Sequence, residues 1–405
     1  MTVLPDQNTS SYRPIILLAG ILGLFASLGL GRFALGMMLP AMGEALTLTY
    51  SQMGVISTVN FCGYLGAVLL CGVISAQLGA RLLVSSALLL VGLSMVLIGF
   101  TSNYLILLLL YFLTGVGSAL SNVPIMGLIA TWFESRSRGR VAGLCVMGNG
   151  IGILVTGKYV PVFNSMAGGW RVSWVVLGFL AIVVAVVCYF LIRNRPLDRR
   201  SEQSPKVTST REDVQNKLTG HGIFYHCAAI YFFFGFTYVI YITFFVTALV
   251  QDYGLSEKAA GSLWAWVGLL SLVSGPLFGY LSDRYGRKAG LVIVFAIQTT
   301  AYLLASLELS ILFVYLSLGL FAIVLWSVPT IIAALVGDCA SPERVAAVFG
   351  FVTFAFGIGQ VAGPVCAGAL AEYTGSFAGS FLLAAVFAGI GLFLSLLLPG
   401  KLSKV

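Results

Sequence analysis

Two basic side chains interrupt long apolar runs of this sequence. Arg32 lies within segment 14–39 and Lys158 within segment 140–163. An arginine at the centre of a membrane helix costs about 2.5–3.5 kcal/mol, so an intramembrane cation is functional by default. Every acidic residue falls outside the apolar segments, so neither cation has a carboxylate counter-ion there. Two fixed cations without a fixed anion favour an anionic ligand, for which arginine offers a planar fork of donors and lysine a point charge.

Both cations also have a simpler interpretation, in which a long stem carries the charge to the lipid headgroups. Lys158 is close to Asn164, at the predicted outer end of its segment. Arg32 is eight residues before Pro40, at the outer end of its segment, which is about 12 Å at 1.5 Å per residue. Its side chain would therefore reach the headgroups less easily. Arg32 is therefore the stronger candidate for binding a small organic anion, with Lys158 as its partner at a similar depth.

Polar and aromatic side chains inside the apolar segments form a second set of candidate substrate-binding residues. Each has an alternative role in core packing or in hydrogen bonds between helices. They are Asn60, Asn122, Tyr238, Tyr241, Trp326 and Gln360. No nucleophile–base pair and no metal-ligand spacing occurs in the sequence, so we expect neither an enzyme nor a metal or other cofactor.

The elements that must position these residues are membrane helices. The chain of 405 residues is 59% hydrophobic and only 9% charged, whereas a soluble domain has about 25% charged residues. Hydropathy predicts an all-α integral membrane protein with twelve spans. They are about 14–39, 51–76, 81–100, 104–131, 140–163, 172–192, 222–250, 258–281, 289–307, 310–336, 344–370 and 377–398. A charged linker, 193–220, separates the six-helix bundle 1–192 from the six-helix bundle 221–405.

The distribution of basic residues predicts the topology. Of the 22 lysines and arginines, 18 lie at the termini, in the linker or in loops on one side; the exceptions are Arg32, Lys158, Arg171 and Lys258. The positive-inside rule therefore predicts a multi-pass protein of the cell membrane with both termini in the cytoplasm. The same distribution explains the net charge of +8 without a nucleic-acid partner.

One loop motif carries a family resemblance. Residues 279–288, Gly279-Tyr-Leu-Ser-Asp283-Arg284-Tyr-Gly286-Arg287-Lys288, resemble the GxLxDRxGR[KR] signature of the major facilitator superfamily. The halves also look related, since LGAR (78–81) parallels YGRK (285–288), although Ala76 replaces the acidic residue in the first half. The resemblance implies two pseudo-symmetric six-helix bundles, alternating access, and a central cavity bordered by the first, fifth and seventh spans.

The resemblance also implies a cytoplasmic gate. In the outward-facing state the charges of this loop would hold the cytoplasmic side closed, and they would part in the inward-facing state. The alternative is that they only fix topology, which would require neither the aspartate nor the glycines. The predicted gating residues are Gly279, Asp283, Arg284, Gly286, Arg287, Asp338 and Arg344.

Together these features predict a monomeric secondary active transporter for a small organic anion, a mono- or dicarboxylate, in the lipid bilayer. The coupling mode stays open: a proton could accompany the substrate in symport, Lys158 could titrate, or anions could exchange. One alternative is an exporter of drugs or aromatic compounds, although exporters of cations usually need a membrane carboxylate. The other is a non-transporting membrane receptor, which would bind a ligand without counterflow.

Overall fold

The computed structural model describes residues 7–194, 222–308, 310–340 and 344–399, with the backbone alone at 7–11, 135, 136 and 346. These residues form helices and connecting turns without a strand. A π-helix, Phe25–Leu30, follows the first helix. The α-helices are α1 Gln7–Leu24, α2 Leu35–Leu46, α3 Tyr50–Ile98, α4 Tyr104–Trp132, α5 Ser135–Asn164, α6 Trp170–Leu191, α7 Gly222–Gln251, α8 Glu257–Tyr285, α9 Arg287–Ser306, α10 Ile311–Val324, α11 Ser327–Cys339, α12 Val345–Thr374 and α13 Ala378–Leu397.

Helix length and composition identify a multi-pass membrane protein. Within the described residues, 11 helical segments are long and apolar enough to cross a bilayer. One of them, α3, has 49 residues and contains the second predicted span and the third up to Ile98. At 1.5 Å per residue a helix of that length extends about 74 Å, more than twice the hydrocarbon thickness. It is interrupted at Gly79, whose φ of 74° is a backbone conformation that favours glycine.

The described contacts group the chain into two compact units. Unit 1 comprises Met1–Met42 and Val59–Lys206, and unit 2 comprises Gly43–Thr58 and Val207–Val405. The predicted linker 193–220 lies outside the described residues, apart from Arg193 and Asn194. The division at that linker therefore stays a prediction.

In unit 1 the first helical span is the central element. The helix α1 and the π-helix contact α4, α5 and α6, and the core of the unit includes Ile16, Leu88, Ile125 and Ala181. Glycines bring the backbones together at the α5 contact, where a Cβ on Gly148 would lie 2.4 Å from the carbonyl oxygen of Ile21. Small residues allow membrane helices to pack this closely.

In unit 2 the corresponding central element is α7, which is almost wholly buried and packs against α12 and α13. Its core is aromatic: the Tyr241 ring lies 4.1 Å from Phe321 and 5.6 Å from Phe381, centroid to centroid. Residues 50–54 of α3 also belong to this unit, and the Glu372 carboxylate accepts hydrogen bonds from the backbone N–H groups of Tyr50 (2.7 Å) and Ser51 (3.4 Å). An anion at a helix N-terminus is stabilising.

Two of the spans are discontinuous, and each break holds a residue that the sequence singled out. The turn 31–34, between the π-helix and α2, contains Arg32. The turn between α10 and α11 contains Trp326, and Pro329 follows in the first turn of α11. Broken helices within a membrane are tolerated where the protein surrounds them or where they line a cavity.

Candidate substrate-binding site

The backbone at Arg32 is an irregular part of the first span. After the π-helix, the N–H groups of both Arg32 and Phe33 donate to the carbonyl of Leu28, at 3.1 and 3.0 Å. Gly31 permits this turn, because a Cβ there would lie 2.4 Å from the carbonyl oxygen of Ser27. Single π-helical turns inside helices occur frequently at functional sites. The sequence did not predict this irregularity.

The Arg32 side chain is buried without a carboxylate partner. It is 7% exposed, and its Nε donates to Asn60 Oδ1 at 3.3 Å. Its Cζ lies 4.6 Å from the centroid of the Phe61 ring and 4.2 Å from that of Tyr64. Its Nη2 is buried without a hydrogen-bond partner, and no salt bridge within the described residues includes Arg32. A buried cation with an unpaired donor leaves both a charge and a hydrogen bond unsatisfied within the protein.

The observed helices extend farther than the predicted spans, so five acidic residues lie inside the described helices rather than outside them. Glu257 is in the first turn of α8. The other four are in the last turn of their helix, and none of these four forms an ion pair with Arg32. They are Glu44, Asp283, Asp338 and Glu372.

Asn60 is placed behind Arg32 rather than beside an open space. It is 1% exposed, and its Nδ2 donates to the carbonyl of Tyr111 at 3.0 Å. The Tyr111 hydroxyl in turn donates to the carbonyl of Arg32 at 3.1 Å. The helices α3 and α4 meet tightly here, since a Cβ on Gly115 would lie 2.0 Å from the carbonyl oxygen of Asn60. Both ends of the amide are engaged, which favours a positioning role over contact with substrate.

Tyr64 and Asn122 form the partly exposed edge of this group. Asn122 Nδ2 donates to the Tyr64 hydroxyl at 2.8 Å, and the Tyr64 ring contacts the guanidinium of Arg32. A hydroxyl that accepts one hydrogen bond still has its own proton to donate. The predicted residue Asn122 is thus linked to Arg32 through Tyr64, which the sequence analysis missed.

The helix register places Lys158 near the level of Arg32. Gly148 contacts Phe25 and Gly152 contacts Gly29, so α5 runs parallel to the first span. Arg32 is three residues beyond Gly29 and Lys158 six beyond Gly152, which is a difference of about 4.5 Å along the axis. Lys158 is exposed, whereas Arg32 is buried, so their surroundings differ although their depths are similar.

Asn149 is a second buried polar group of unit 1 that sequence reasoning missed. It is 4% exposed, and its Oδ1 has no hydrogen-bond partner. It follows Gly148, the residue of α5 that contacts Phe25 at the start of the π-helix. A signal for it existed in the sequence, since Asn149 is the one asparagine within the fifth predicted span before Asn164.

The candidates in unit 2 are mostly packed. Gln360 Nε2 donates to the Tyr238 hydroxyl, and the Tyr238 ring stacks on Phe234 at 4.9 Å. Tyr241 is fully buried, with its hydroxyl 2.8 Å from Ser317 Oγ. Trp326 is partly exposed, and its backbone N–H donates to Ser274 Oγ at 3.0 Å. These contacts favour a core-packing role for Tyr241. Substrate contact by Tyr238, Trp326 and Gln360 stays a prediction.

The predicted gate is a compact ionic cluster around one arginine. Arg287 Nε donates to Asp338 Oδ2 at 2.7 Å, and Arg287 Nη1 donates to Asp283 and, at 3.1 Å, to Ser282 Oγ. Arg284 instead donates to the Tyr280 hydroxyl at 3.2 Å.

Glycines shape the backbone of this loop. Gly286 has a φ of 94° and a ψ of 153°, close to the 74° and 157° of Gly79 at the matching loop of the first half. The two loops therefore share a backbone conformation that supports their duplication. Gly279 lies against Thr330, whose methyl would be 3.4 Å from a Cβ there. Arg344 is exposed, and Glu343 lies outside the described residues.

Comparison with known proteins agrees with this architecture. Residues 24–398 match the family model described as "Uncharacterised MFS-type transporter YbfB". The chain belongs to the MFS transporters. The hexuronate transporter of Bacillus subtilis (strain 168) is 27% identical over 93% of each chain. The probable sulfoacetate transporter SauU of Cupriavidus necator is 25% identical, over 88% of this chain and 87% of that protein.

Other matches point to the same type of protein. A putative tartrate transporter of Agrobacterium vitis is 24% identical over 93% of this chain and 88% of that protein. The crystal structure of a bacterial homolog of the human lysosomal transporter Spinster superposes with a TM-score of 0.80, at 18% identity and with 97% of each chain covered. At that identity the likeness concerns the fold alone. The named substrates of the three relatives are organic anions, so this MFS transporter is close to carriers of that class.

Proposed function

We propose that this protein is a secondary active transporter that moves a small organic anion, a mono- or dicarboxylate, across the cytoplasmic membrane by alternating access. The observation that carries the proposal is Arg32: a buried guanidinium with an unpaired Nη2 and no carboxylate partner within the described residues. An anion at this position would supply the missing charge and accept the unused hydrogen bond. The relatives named for hexuronate, sulfoacetate and tartrate support the same substrate class.

Three side chains would complete the anion site in unit 1. Tyr64 would donate its free hydroxyl proton to the carboxylate beside Arg32. Lys158, at a similar level on α5, would attract a second carboxylate of the substrate or the other oxygen of the carboxylate that Arg32 binds. Asn149 Oδ1 would accept a hydrogen bond from a hydroxyl of the substrate, a group that hexuronate and tartrate both have.

The finer features of the transporter belong to the same proposal. Twelve spans follow if α3 is counted as two crossings, for which its length and the interruption at Gly79 are the arguments. Cytoplasmic termini follow from the basic loops, and a monomer is the expected unit. A proton is one candidate coupling ion. Anion exchange is the other, because within the described residues no carboxylate pairs with Arg32 and could carry a proton there.

Thermal stability of the purified protein tests the substrate class. A ligand of the folded state raises its stability by about 2.7 kcal/mol at a concentration of 100 times Kd, which is measurable as a higher melting temperature. We expect hexuronates, tartrate or sulfoacetate to stabilise the protein, and neutral sugars and organic cations to have no effect. Arg32→Gln should abolish the response. The matched control Arg171→Gln, a cation of the same unit that donates to Ser102, should keep it.

Three other outcomes would contradict the proposal. Stabilisation by aromatic or cationic compounds, unchanged in Arg32→Gln, would favour the exporter. Binding of an acid without counterflow in vesicles would favour a receptor. An acid response that survives in Arg32→Gln would remove Arg32 from the site.

A further inference from the structure

The Asn60 amide has only one possible orientation. Its Nδ2 faces the carbonyl of Tyr111 at 3.0 Å, and its Oδ1 faces Arg32 Nε at 3.3 Å. A carbonyl oxygen only accepts hydrogen bonds and a guanidinium only donates them, so exchanging the amide's nitrogen and oxygen would break both contacts. Arg32 is therefore held through its Nε by an uncharged oxygen, and its Nη2 is left unpaired.

The groups around Arg32 leave its charge intact. Asn60 is neutral, and the aromatic partners on α3 and α4 are Phe61, Tyr64 and Tyr111, none of which has a carboxylate. Lys158, at a similar level on α5, adds a further positive charge. Within the described residues no carboxylate and no histidine is bonded to Arg32.

Position 60 is the place where a counter-ion would fit. An aspartate has nearly the same shape as asparagine, and its carboxylate would lie at hydrogen-bond distance from Arg32 Nε. Such a carboxylate would pair with the guanidinium and compete with any external anion. The chain has asparagine there, so the orientation of Arg32 is fixed while its charge remains available.

We propose that Asn60 sets the charge selectivity of the Arg32 site. Its amide orients the guanidinium without neutralising it, so that the bound anion is the group that neutralises the charge. Asn60 is a positioning residue that acts through Arg32, and the inference rests on the proposed anion carrier. It has a consequence for coupling: anion binding at Arg32 requires no proton, because no group that bonds to Arg32 has to be protonated first.

Binding measured at two pH values tests this inference. The probes are galacturonate, tartrate and sulfoacetate, whose acidic groups stay ionised between about pH 6 and about pH 8.5. For the wild type we expect Kd to change less than about threefold between these values. In Asn60→Asp, Kd should rise at least about tenfold at both pH values, because pairing with Arg32 keeps the new carboxylate ionised.

Two controls separate charge selectivity from a merely structural role. Asn103→Asp makes the same change at the N-cap of α4, where the side chain accepts from the N–H groups of Leu105 and Ile106, and it should bind as the wild type does. Asn60→Leu removes both hydrogen bonds and adds no charge, so its unliganded melting temperature should fall. Unliganded Asn60→Asp loses the hydrogen bond to Tyr111 but pairs its new carboxylate with Arg32, so it should melt higher than Asn60→Leu.

The inference is overturned if Asn60→Asp binds the probes as tightly as the wild type at both pH values. It is also overturned if Asn60→Asp loses binding and melts as low as Asn60→Leu, since the residue would then be structural only. Failure of the proposed function has a different signature. If Arg32→Gln binds the probes like the wild type, the anion site itself is wrong, whatever Asn60→Asp does.

Discussion

The contact between Gly29 and Gly152 determines the register of the first span against α5, and Gly152→Ala tests it. A Cβ on Gly152 would lie 2.3 Å from Gly29 Cα and 2.7 Å from Gly29 C. Both neighbours are backbone atoms, so no side chain can rotate away. Ordinary carbon contacts are about 3.5–4.0 Å, and the two helices would have to separate by roughly 1 Å.

The expected cost follows from this geometry. Overpacking a close-packed contact costs about 1–3 kcal/mol, whereas alanine is favoured over glycine within a helix by about 0.8–1.0 kcal/mol. Gly143→Ala is the matched control, because Gly143 is on the same helix and no atom lies within 4 Å of its ideal Cβ. The helix-propensity gain is common to both variants and cancels, so Gly152→Ala should be less stable than Gly143→Ala by about 1–3 kcal/mol.

The assay is thermal unfolding of both purified variants, without and with the stabilising anion. Gly152→Ala should melt a few degrees lower than Gly143→Ala. It should also lose more of the anion response, because the displacement moves Arg32 relative to Lys158. Equal melting temperatures would refute the close contact, and equal anion responses would refute the argument that this register positions the site.

Two further predictions concern charges outside the anion site. Asp283→Asn removes one of the two carboxylates that bind Arg287. Counterflow in vesicles should therefore change several-fold while the Kd of the anion stays constant. A change in Kd alone would contradict the proposed gating role of Asp283. Asp252 lies just after α7 and accepts from the backbone N–H of Phe377 at 3.0 Å, and burial raises its pKa to about 6. A raised pKa in the folded state means that stability is highest below the ordinary pKa of about 4 and is lost as pH rises to about 6. Melting curves between these values should show that loss in the wild type and a flatter profile in Asp252→Asn, and identical profiles would count against a buried Asp252.

The candidate site could be predicted in part from the sequence, because burying a charge in an apolar segment has a high free-energy cost. That cost singled out Arg32, and the lack of acidic residues in the predicted spans left it without a counter-ion there. The family followed from residues 279–288, where an aspartate, two glycines and three basic residues keep a fixed spacing. The structure adds that Arg287, rather than Arg284, joins Asp283 and Asp338.

The partners of Arg32 could not be predicted in the same way. Phe61, Tyr64 and Tyr111 are ordinary aromatic residues of membrane helices, and nothing in their own segments distinguishes them from core residues. Their roles arise from the close approach of α3 and α4, which Gly115 permits, and from the irregular turn after the π-helix. For the same reason the sequence left both roles open for Asn60, substrate contact and hydrogen bonding between helices, and the structure shows a hydrogen bond within the protein at each end of its amide.

By itself, the sequence determined that the chain crosses a membrane many times, that its basic residues concentrate in alternate loops, and that two cations in the apolar segments lack fixed anions there. These properties depend on hydropathy and charge, which are additive along the chain. Only the tertiary structure decided which cation is buried, which of its donors is unpaired, and that its neighbours are neutral. Those properties depend on how helices distant in sequence pack, and a difference of one residue in register would change each of them.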